Sequence, residues 1–260
     1  MNHTLASSRP ASRLRFRRQK PFPRGGLRIR RPRGFPPRAA SVTAVAVLAL
    51  TAPADVRAQL VDQGVFLLYV DGVEAGTEEF TIQREGTGDA QVTLATGTID
   101  MRDGRTVTTI LRLMGTGMML NRYSAFVTGS DTLAVRVVRA GSRIRTRRMA
   151  SSGEEEQAYR ARPSSVVFDD GVAHHYFVLN SLGDGAAVHA LAPLAEREEP
   201  AARLATESET IRFGGERVET TRIRFGPAEV GGTAWFDGSG RLVRVRLEGR
   251  GFLAERLPGN

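Results

Sequence analysis

The segment Val172-Ala-His-His-Tyr-Phe-Val-Leu-Asn-Ser-Leu182 is the strongest helix candidate in this sequence. Asp169 and Asp170 precede it and suit N-capping positions. Gly183 follows it and readily takes the left-handed conformation that ends many helices. The apolar residues of the segment recur at i, i+3 and i+4 spacing and cover a broad surface. The pattern predicts one α-helix over Val172–Leu182, packed against a concave sheet.

The sequence around this segment alternates between apolar and polar residues and is interrupted by turn-forming pairs. In Thr77–Gln83, for example, Phe80 and Ile82 share one face of an extended strand. Asp103-Gly104 and Asp237-Gly238 lie between alternating segments, where hairpins require a positive φ. About ten strands of this kind form a sheet too large to stay flat. The predicted fold class is therefore mainly β: a single curved antiparallel sheet, a half-barrel or open barrel, with one short helix packed in the concavity.

The charge of the chain is divided unevenly. Residues 1–54 contain twelve basic residues and no acidic one, whereas residues 55–260 contain 25 basic and 28 acidic residues, a net charge of −3. A nucleic-acid-binding protein needs its basic excess on the folded part. This distribution argues against nucleic acid as a partner.

Residues 1–58 are typical of a secretory signal peptide with a long Arg- and Pro-rich n-region. Their apolar centre, Val42–Leu50, is too short to cross a bilayer, which takes about 20 apolar residues. Val56-Arg57-Ala58 places small residues at positions −3 and −1 of a cleavage site. One account of the long n-region is that translation starts downstream of Met1.

Cleavage after Ala58 leaves residues 59–260, which we expect to form a single β-rich domain. The expected location is periplasmic or secreted, and we predict no transmembrane segment in the mature chain. The sequence does not identify a protein partner.

The residue types present exclude several kinds of chemistry. The chain has no cysteine, and Lys20 is its only lysine. Disulfides, thiolate metal sites, a lipidated cysteine and lysine-based catalysis are therefore excluded from the mature chain. We predict no cofactor and assign no catalytic residue. Asp170, His174 and His189 are weak candidates for a metal site, although side chains at the adjacent positions His174 and His175 would point about 100° apart on a helix.

Arg143–Met149 is the most polar of the strand candidates. Its arginines suit an edge strand that is protected by charge from pairing with other chains. The alternative is contact with an anionic ligand or with membrane headgroups. We favour the edge strand, because Glu154–Glu156 follow in what we interpret as a solvated loop and can neutralise the arginines locally.

Large apolar side chains are candidates to line the hollow of an open sheet. On the strand around residues 118–127, Met118, Leu120 and Phe126 are predicted on one face and Tyr123 on the other. The alternative is that such residues fill a core and bind nothing. The complete set of candidate ligand-binding residues is Met118, Leu120, Phe126, Tyr176, Phe177 and Trp235.

Three stretches carry a family resemblance: Tyr69–Gly76, Phe168-Asp169-Asp170 with the helix after it, and Trp235–Leu242. In this arrangement the chain resembles the periplasmic half-barrel envelope proteins, namely the lipoprotein-carrier superfamily and families without an assigned function that share its curved sheet. The resemblance implies an open cup that accommodates acyl chains. It does not extend to a lipidation cysteine, which this chain lacks.

The function expected from the sequence is that of an exported envelope protein that binds a lipid or another apolar small molecule between sheet and helix. The alternative is a structural or interaction protein of the cell envelope with a filled interior and no ligand. A metal-assisted or hydrolytic enzyme is a third hypothesis.

Overall fold

A computed structural model describes residues 58–227 and 231–259. The predicted signal peptide lies outside the described residues apart from Ala58. The strands are β1 (Gln59–Val70), β2 (Val73–Glu85), β3 (Val92–Met101), β4 (Thr106–Met114), β5 (Met119–Thr128), β6 (Leu133–Ala140), β7 (Arg143–Ala150), β8 (Gly153–Arg160), β9 (Ser165–Val167), β10 (Ala187–Ala192), β11 (Arg197–Phe213), β12 (Glu216–Phe225), β13 (Gly232–Phe236), β14 (Leu242–Leu247) and β15 (Phe252–Arg256). The 3₁₀ helices are Gly88–Ala90, Ala173–Ser181 and Glu248–Arg250.

All fifteen strands belong to one sheet, in the order β8-β7-β6-β5-β4-β3-β2-β1-β15-β14-β13-β12-β11-β10-β9. Neighbouring strands are antiparallel except β9 and β10, which are parallel. The first and last strands pair in the middle of the sheet, with Phe66 opposite Arg256 and Val70 opposite Phe252. The predicted fold class, a mainly β chain with one curved antiparallel sheet and one helix, is confirmed.

The two edges of the sheet, β8 and β9, are joined by only four residues, 161–164. Because an extended residue spans at most about 3.6 Å, this connection forces the edges close together. Arg148 of β7 reaches across the gap, where its Nη1 donates to the carbonyl oxygens of Pro193 (2.6 Å) and Leu194 (3.0 Å). The sheet therefore curls strongly around its interior, yet β8 and β9 do not pair and the sheet is not closed.

Several sequence expectations about the edge are wrong. Residues 153–160 form strand β8 and are not a loop, so β8 is the edge strand and Arg143–Ala150 lies one strand further in. Glu154 lies opposite Met149, diagonally across from Arg147, and forms an ion pair with it in which Nε and Oε1 are 2.5 Å apart. The acidic run was misread because strand pairing, which neutralises it, is not visible in local composition.

The concave face of the sheet carries the core. Inward-facing positions alternate along the strands, as in β2, where Glu78, Phe80 and Ile82 are buried and Glu79 is exposed. The 3₁₀ helix Ala173–Ser181, called the central helix below, packs into this concavity and buries Tyr176 and Leu179. None of the helices in the described residues has the length and hydropathy needed to cross a membrane.

The central helix differs in type and ends from the α-helix predicted over Val172–Leu182. Its N-cap is Val172, with no side-chain capping bond from Asp169 or Asp170. At the other end Leu182 is extended, and Gly183 does not take a positive φ. A 3₁₀ helix rises about 2.0 Å per residue, against 1.5 Å for an α-helix, so the same nine residues span a longer distance.

Two charged side chains from the sheet hold the ends of the central helix. Glu78 of β2 accepts hydrogen bonds from the backbone N–H groups of Ala173 (2.6 Å) and His174 (2.8 Å). Arg203 of β11 donates to the carbonyl oxygens of Leu179 (3.1 Å) and Leu182. A carboxylate at the N-terminus and a guanidinium at the C-terminus both match the helix dipole. The sheet thus supplies the caps that local sequence does not.

Replacing Glu78 tests this anchoring. Glu78→Gln keeps the size of the side chain but offers only one acceptor oxygen, which leaves a buried N–H without a partner. We expect the free energy of unfolding, measured by urea denaturation, to fall by about 2–4 kcal/mol. Glu79→Gln, the exposed neighbour on the outer face, is the matched control and should change stability by less than about 0.5 kcal/mol. Equal stability of the two variants would contradict the role given to Glu78.

Candidate functional site

A cluster of ionisable side chains lies beneath the central helix, and all of its members are fully buried. The members come from β2, from β5, from the loop before the helix and from the helix itself. Buried ionisable groups mark either a functional site or a structural network, and their partners decide which. They are Glu78, Tyr123, Asp169, His174 and His175.

His174 is fixed on three sides. Its Nδ1 lies 2.5 Å from Oε1 of Glu78, and its ring stacks on Phe80 with 6.0 Å between centroids. The ring also lies directly on the backbone of Gly97. Any other residue at position 97 would place its Cβ only 2.6 Å from Cε1 of His174, so only glycine leaves room for the ring. The Nε2 atom of His174 is buried without a hydrogen-bond partner among the described residues. The ring therefore acts as a packed wedge between helix and sheet.

His175 packs its ring against Tyr123 in an edge arrangement, with 5.3 Å between centroids. Neither ring nitrogen has a hydrogen-bond partner among residues 58–227 and 231–259. Burial, with a smaller contribution from the neighbouring His174, lowers the pKa of His175 well below 6.5. The imidazole is consequently neutral at physiological pH and behaves as part of the core.

Asp169 links the loop before the central helix to the loop after β10. Its Oδ1 accepts the backbone N–H of Leu194 at 2.7 Å. Burial raises the pKa of Asp169 to about 7, although the nearby Tyr123 hydroxyl opposes the rise. Neither the Tyr123 hydroxyl nor Oδ2 of Asp169 has a hydrogen-bond partner of good geometry among the described residues. Burial, together with the charge of Asp169, in turn raises the pKa of Tyr123 well above 10.

The weak metal-site candidates are not brought together. Asp170 forms ion pairs with Arg197 and Arg250 on the surface, while His174 contacts Glu78 in the interior. Residues 58–227 and 231–259 contain no group of three or more His, Cys, Asp or Glu side chains positioned to hold a metal ion.

The third candidate, His189 of β10, lies between a serine and a glutamate. Its Nδ1 is 3.3 Å from Oγ of Ser165, and its Nε2 contacts Glu198. The order Ser–His–Glu is that of a hydrolase triad. However, Ser165 is fully buried and its Oγ already accepts the N–H of Arg162 at 3.0 Å. A substrate cannot reach this hydroxyl, so we interpret the three residues as a structural bridge between β9, β10 and β11.

The predicted ligand-binding residues are distributed over four environments. Leu120 and Tyr176 are core residues, and Tyr176 stacks on Phe168 with 4.7 Å between centroids. Trp235 belongs to a separate small cluster with Ile211, Phe213 and Val243. Only Met118 and Phe177 border the same open cavity.

Phe126 does not face the interior but lies on the outer surface, where it is 48% exposed. The prediction placed it on the same face as Leu120. A β-bulge, at which Leu113 pairs with Leu120 but Arg112 pairs with Arg122, shifts the alternation by one residue. Tyr123 therefore joins Leu120 on the inner face, and Phe126 points outward.

The interior around the central helix is nearly full. The cavity that borders Tyr176 and Phe168 has a volume of about 40 Å³, which is room for water rather than for a lipid. A second cavity of about 380 Å³ lies where the C-terminal part of the central helix meets β1 and β2. We call it the rim pocket, and its lining residues are Val61, Asp62, Ile82, Arg84, Met118, Phe177, Asn180, Ser181, Ser239, Gly240 and Arg241.

The rim pocket combines apolar side chains with charges. Two of its charged residues are paired, Asp62 with Arg256 (2.8 Å) and Arg241 with Asp237 (2.7 Å). The side chain of Arg84 forms no hydrogen bond or ion pair with the part of the chain that the structure describes, and its Nε is buried.

Glu78 and Arg84 are functional-site residues that were not predicted from the sequence. Both lie on the face of β2 that also carries Phe80 and Ile82, so the strand places a charged group inward at each end of its apolar pair. This period-two alternation was the available signal, since charged side chains at inward positions of a strand need a partner or a ligand.

Asp169→Asn tests the electrostatics of the buried cluster. Because the pKa of Asp169 is raised on folding from its ordinary 3.8 to about 7, its contribution to stability is present below pH 4 and lost as the pH rises through 7. Asparagine does not titrate, yet its oxygen can still accept the N–H of Leu194. We therefore compare the free energies of unfolding of the variant and of wild type. From pH 5 to pH 8 their difference should change by roughly 2–3 kcal/mol in favour of the variant.

The measurement is urea denaturation of both proteins at the two pH values. Tyr123, Asp170 and Arg148 also act on the Asp169 carboxyl and remain in place. Asp131→Asn, at an exposed aspartate that is not among the groups acting on the Asp169 carboxyl, is the control and should shift stability equally at both pH values. A difference between Asp169→Asn and wild type that is independent of pH would show that the carboxyl is not held protonated by burial.

Comparison of the chain with protein-family models, with curated proteins and with solved structures found no match. The function therefore has to be inferred from the geometry of the described residues.

Proposed function

We propose that this chain is an exported protein of the cell envelope that binds a small apolar or amphiphilic ligand in the rim pocket. The export part of the proposal rests on the signal-peptide pattern of residues 1–58 and on the basic excess confined to it. A periplasmic or secreted location follows from that pattern.

The observation that supports ligand binding is the rim pocket itself. Its volume, about 380 Å³, is within the range of about 300–1,000 Å³ that is common for small-molecule sites. Ile82, Met118 and Phe177 provide apolar surface, and Asn180, Ser181 and Arg84 provide polar groups. Such a mixture suits a ligand that has an apolar part and a polar end.

This proposal moves the ligand from the position expected from the sequence. A lipid between the helix and the floor of the sheet would have to displace Tyr176, Leu179 and the buried cluster. Losing the burial of one such side chain costs about 1.5–3 kcal/mol. The rim pocket needs no such displacement.

A second candidate function is a structural or interaction protein that binds no small molecule. The filled interior favours it, because the cavity beside Tyr176 has only about 40 Å³. The two candidates differ in whether the rim pocket has an occupant.

Probe binding separates the two candidates. Delipidated protein is titrated with a fluorescent fatty-acid probe, and we expect saturable binding. Phe177→Ala removes apolar surface from the rim pocket and should weaken binding by about tenfold. Phe126→Ala, the same change on the outer surface, is the control and should leave the affinity unchanged. Absence of saturable binding to wild type would favour the structural candidate, and equal loss in both variants would argue for non-specific adsorption.

A further inference from the structure

Arg84 occupies an unusual position for an arginine. It lies near the end of β2 on the inward-facing side, opposite Gln59 of β1 and Thr93 of β3. The side chain is half-buried, and its Nε is shielded from solvent without an acceptor. A guanidinium that is partly removed from water and left without a counter-charge is costly. A position of this kind is explained if the partner of the guanidinium is a bound molecule.

The one carboxylate that the described residues place on the rim pocket, Asp62, is already paired with another arginine. Both carboxylate oxygens of Asp62 accept hydrogen bonds from Arg256, from Nη1 at 3.0 Å and from Nη2 at 2.8 Å. Arg241 is likewise paired with Asp237, which accepts from Nε at 2.8 Å. Arg84 is therefore the one uncompensated charge that the described residues place on this pocket.

We propose that Arg84 receives the carboxylate of a single-chain amphiphile, whose hydrocarbon chain lies along Ile82, Met118 and Phe177. This inference rests on the proposed function and adds the charge and class of the ligand to it. The planar guanidinium can donate two parallel hydrogen bonds to a carboxylate. The apolar residues that border the same cavity supply the surface for the chain.

The charge balance favours a carboxylate over a phosphate monoester. Arg84 offers one positive charge, which a carboxylate neutralises. A phosphate monoester carries about −1.5 to −2 at neutral pH and would bring excess negative charge close to Asp62, whose own charge is already matched by Arg256. The pocket therefore selects a monoanion.

The expected selectivity follows from the strength of a charge-assisted contact. Hydrogen bonds to charged groups contribute about 1.5–3 kcal/mol, which corresponds to roughly 10- to 100-fold in the dissociation constant. Wild type should therefore bind dodecanoate that much more tightly than methyl dodecanoate, which has the same chain and no charge.

The experiment is calorimetric titration of delipidated protein below the critical micelle concentration with dodecanoate, methyl dodecanoate and dodecyl phosphate. In Arg84→Gln we expect dodecanoate to bind with the affinity of the ester, whose own affinity is unchanged. Arg84→Lys keeps the charge but loses the planar fork, and should retain part of the preference. Arg217→Gln, an exposed arginine on β12, is the control and should behave as wild type. Thermal melts establish whether each variant is folded. If Arg84→Gln is not folded, the comparison of Arg84→Lys with wild type provides the test.

The possible failures are distinguishable. If wild type binds the ester and the carboxylate equally well, the role of Arg84 is wrong while ligand binding in the rim pocket stands. If wild type binds none of the three compounds, the proposed function itself fails. If dodecyl phosphate binds more tightly than dodecanoate, the assignment of a carboxylate is overturned.

Discussion

The packing of the central helix in the sheet depends on two buried charged side chains, which hydrogen-bond to its two ends from opposite halves of the sheet. Glu78 belongs to the half that contains β1–β8, and Arg203 belongs to the half that contains β9–β15. Each satisfies backbone groups that would otherwise be orphaned at a helix end. Runs of 3₁₀ helix longer than about four residues are uncommon, because their hydrogen bonds are poorly aligned. The nine residues of the central helix keep this form because both ends are fixed to the sheet.

Because both of its ends are held, the central helix itself fills the concavity of the sheet. His174 rests on Gly97, and Tyr176 and Leu179 are fully covered. Burial holds His175 and Tyr123 in their neutral forms, as the lowered pKa of His175 and the raised pKa of Tyr123 indicate. We interpret these groups as structural. The proposed ligand site is the rim pocket, which lies at the C-terminal part of the central helix and is open to solvent. The polar residues most buried in this molecule are thus the least suited to act on a ligand.

The sequence was sufficient for the fold class and for the position of the helix, since alternation, turn pairs and the apolar segment at Val172–Leu182 are local signals. The sequence was insufficient where contacts between residues far apart in the chain determine the local structure. The helix type depends on Glu78 and Arg203, which are far from it in the chain. The orientation of Phe126 depends on a bulge that local alternation does not reveal. Of the six predicted ligand-binding residues, only Met118 and Phe177 border the rim pocket. The role of Arg84 could not be predicted, because only the structure shows that the other charged side chains of the pocket are paired and that Arg84 is not.

The pairing of β1 with β15 has a consequence for how the chain reaches its native state. Phe66 and Arg256 are neighbours in the sheet although nearly the whole described part of the chain separates them. Contacts of such long range are formed slowly, because a large loop has to close before they stabilise anything. The middle of the sheet is therefore missing until the last strand has been made. The export proposed above would benefit from this delay, because the sheet cannot be completed until β15 has emerged.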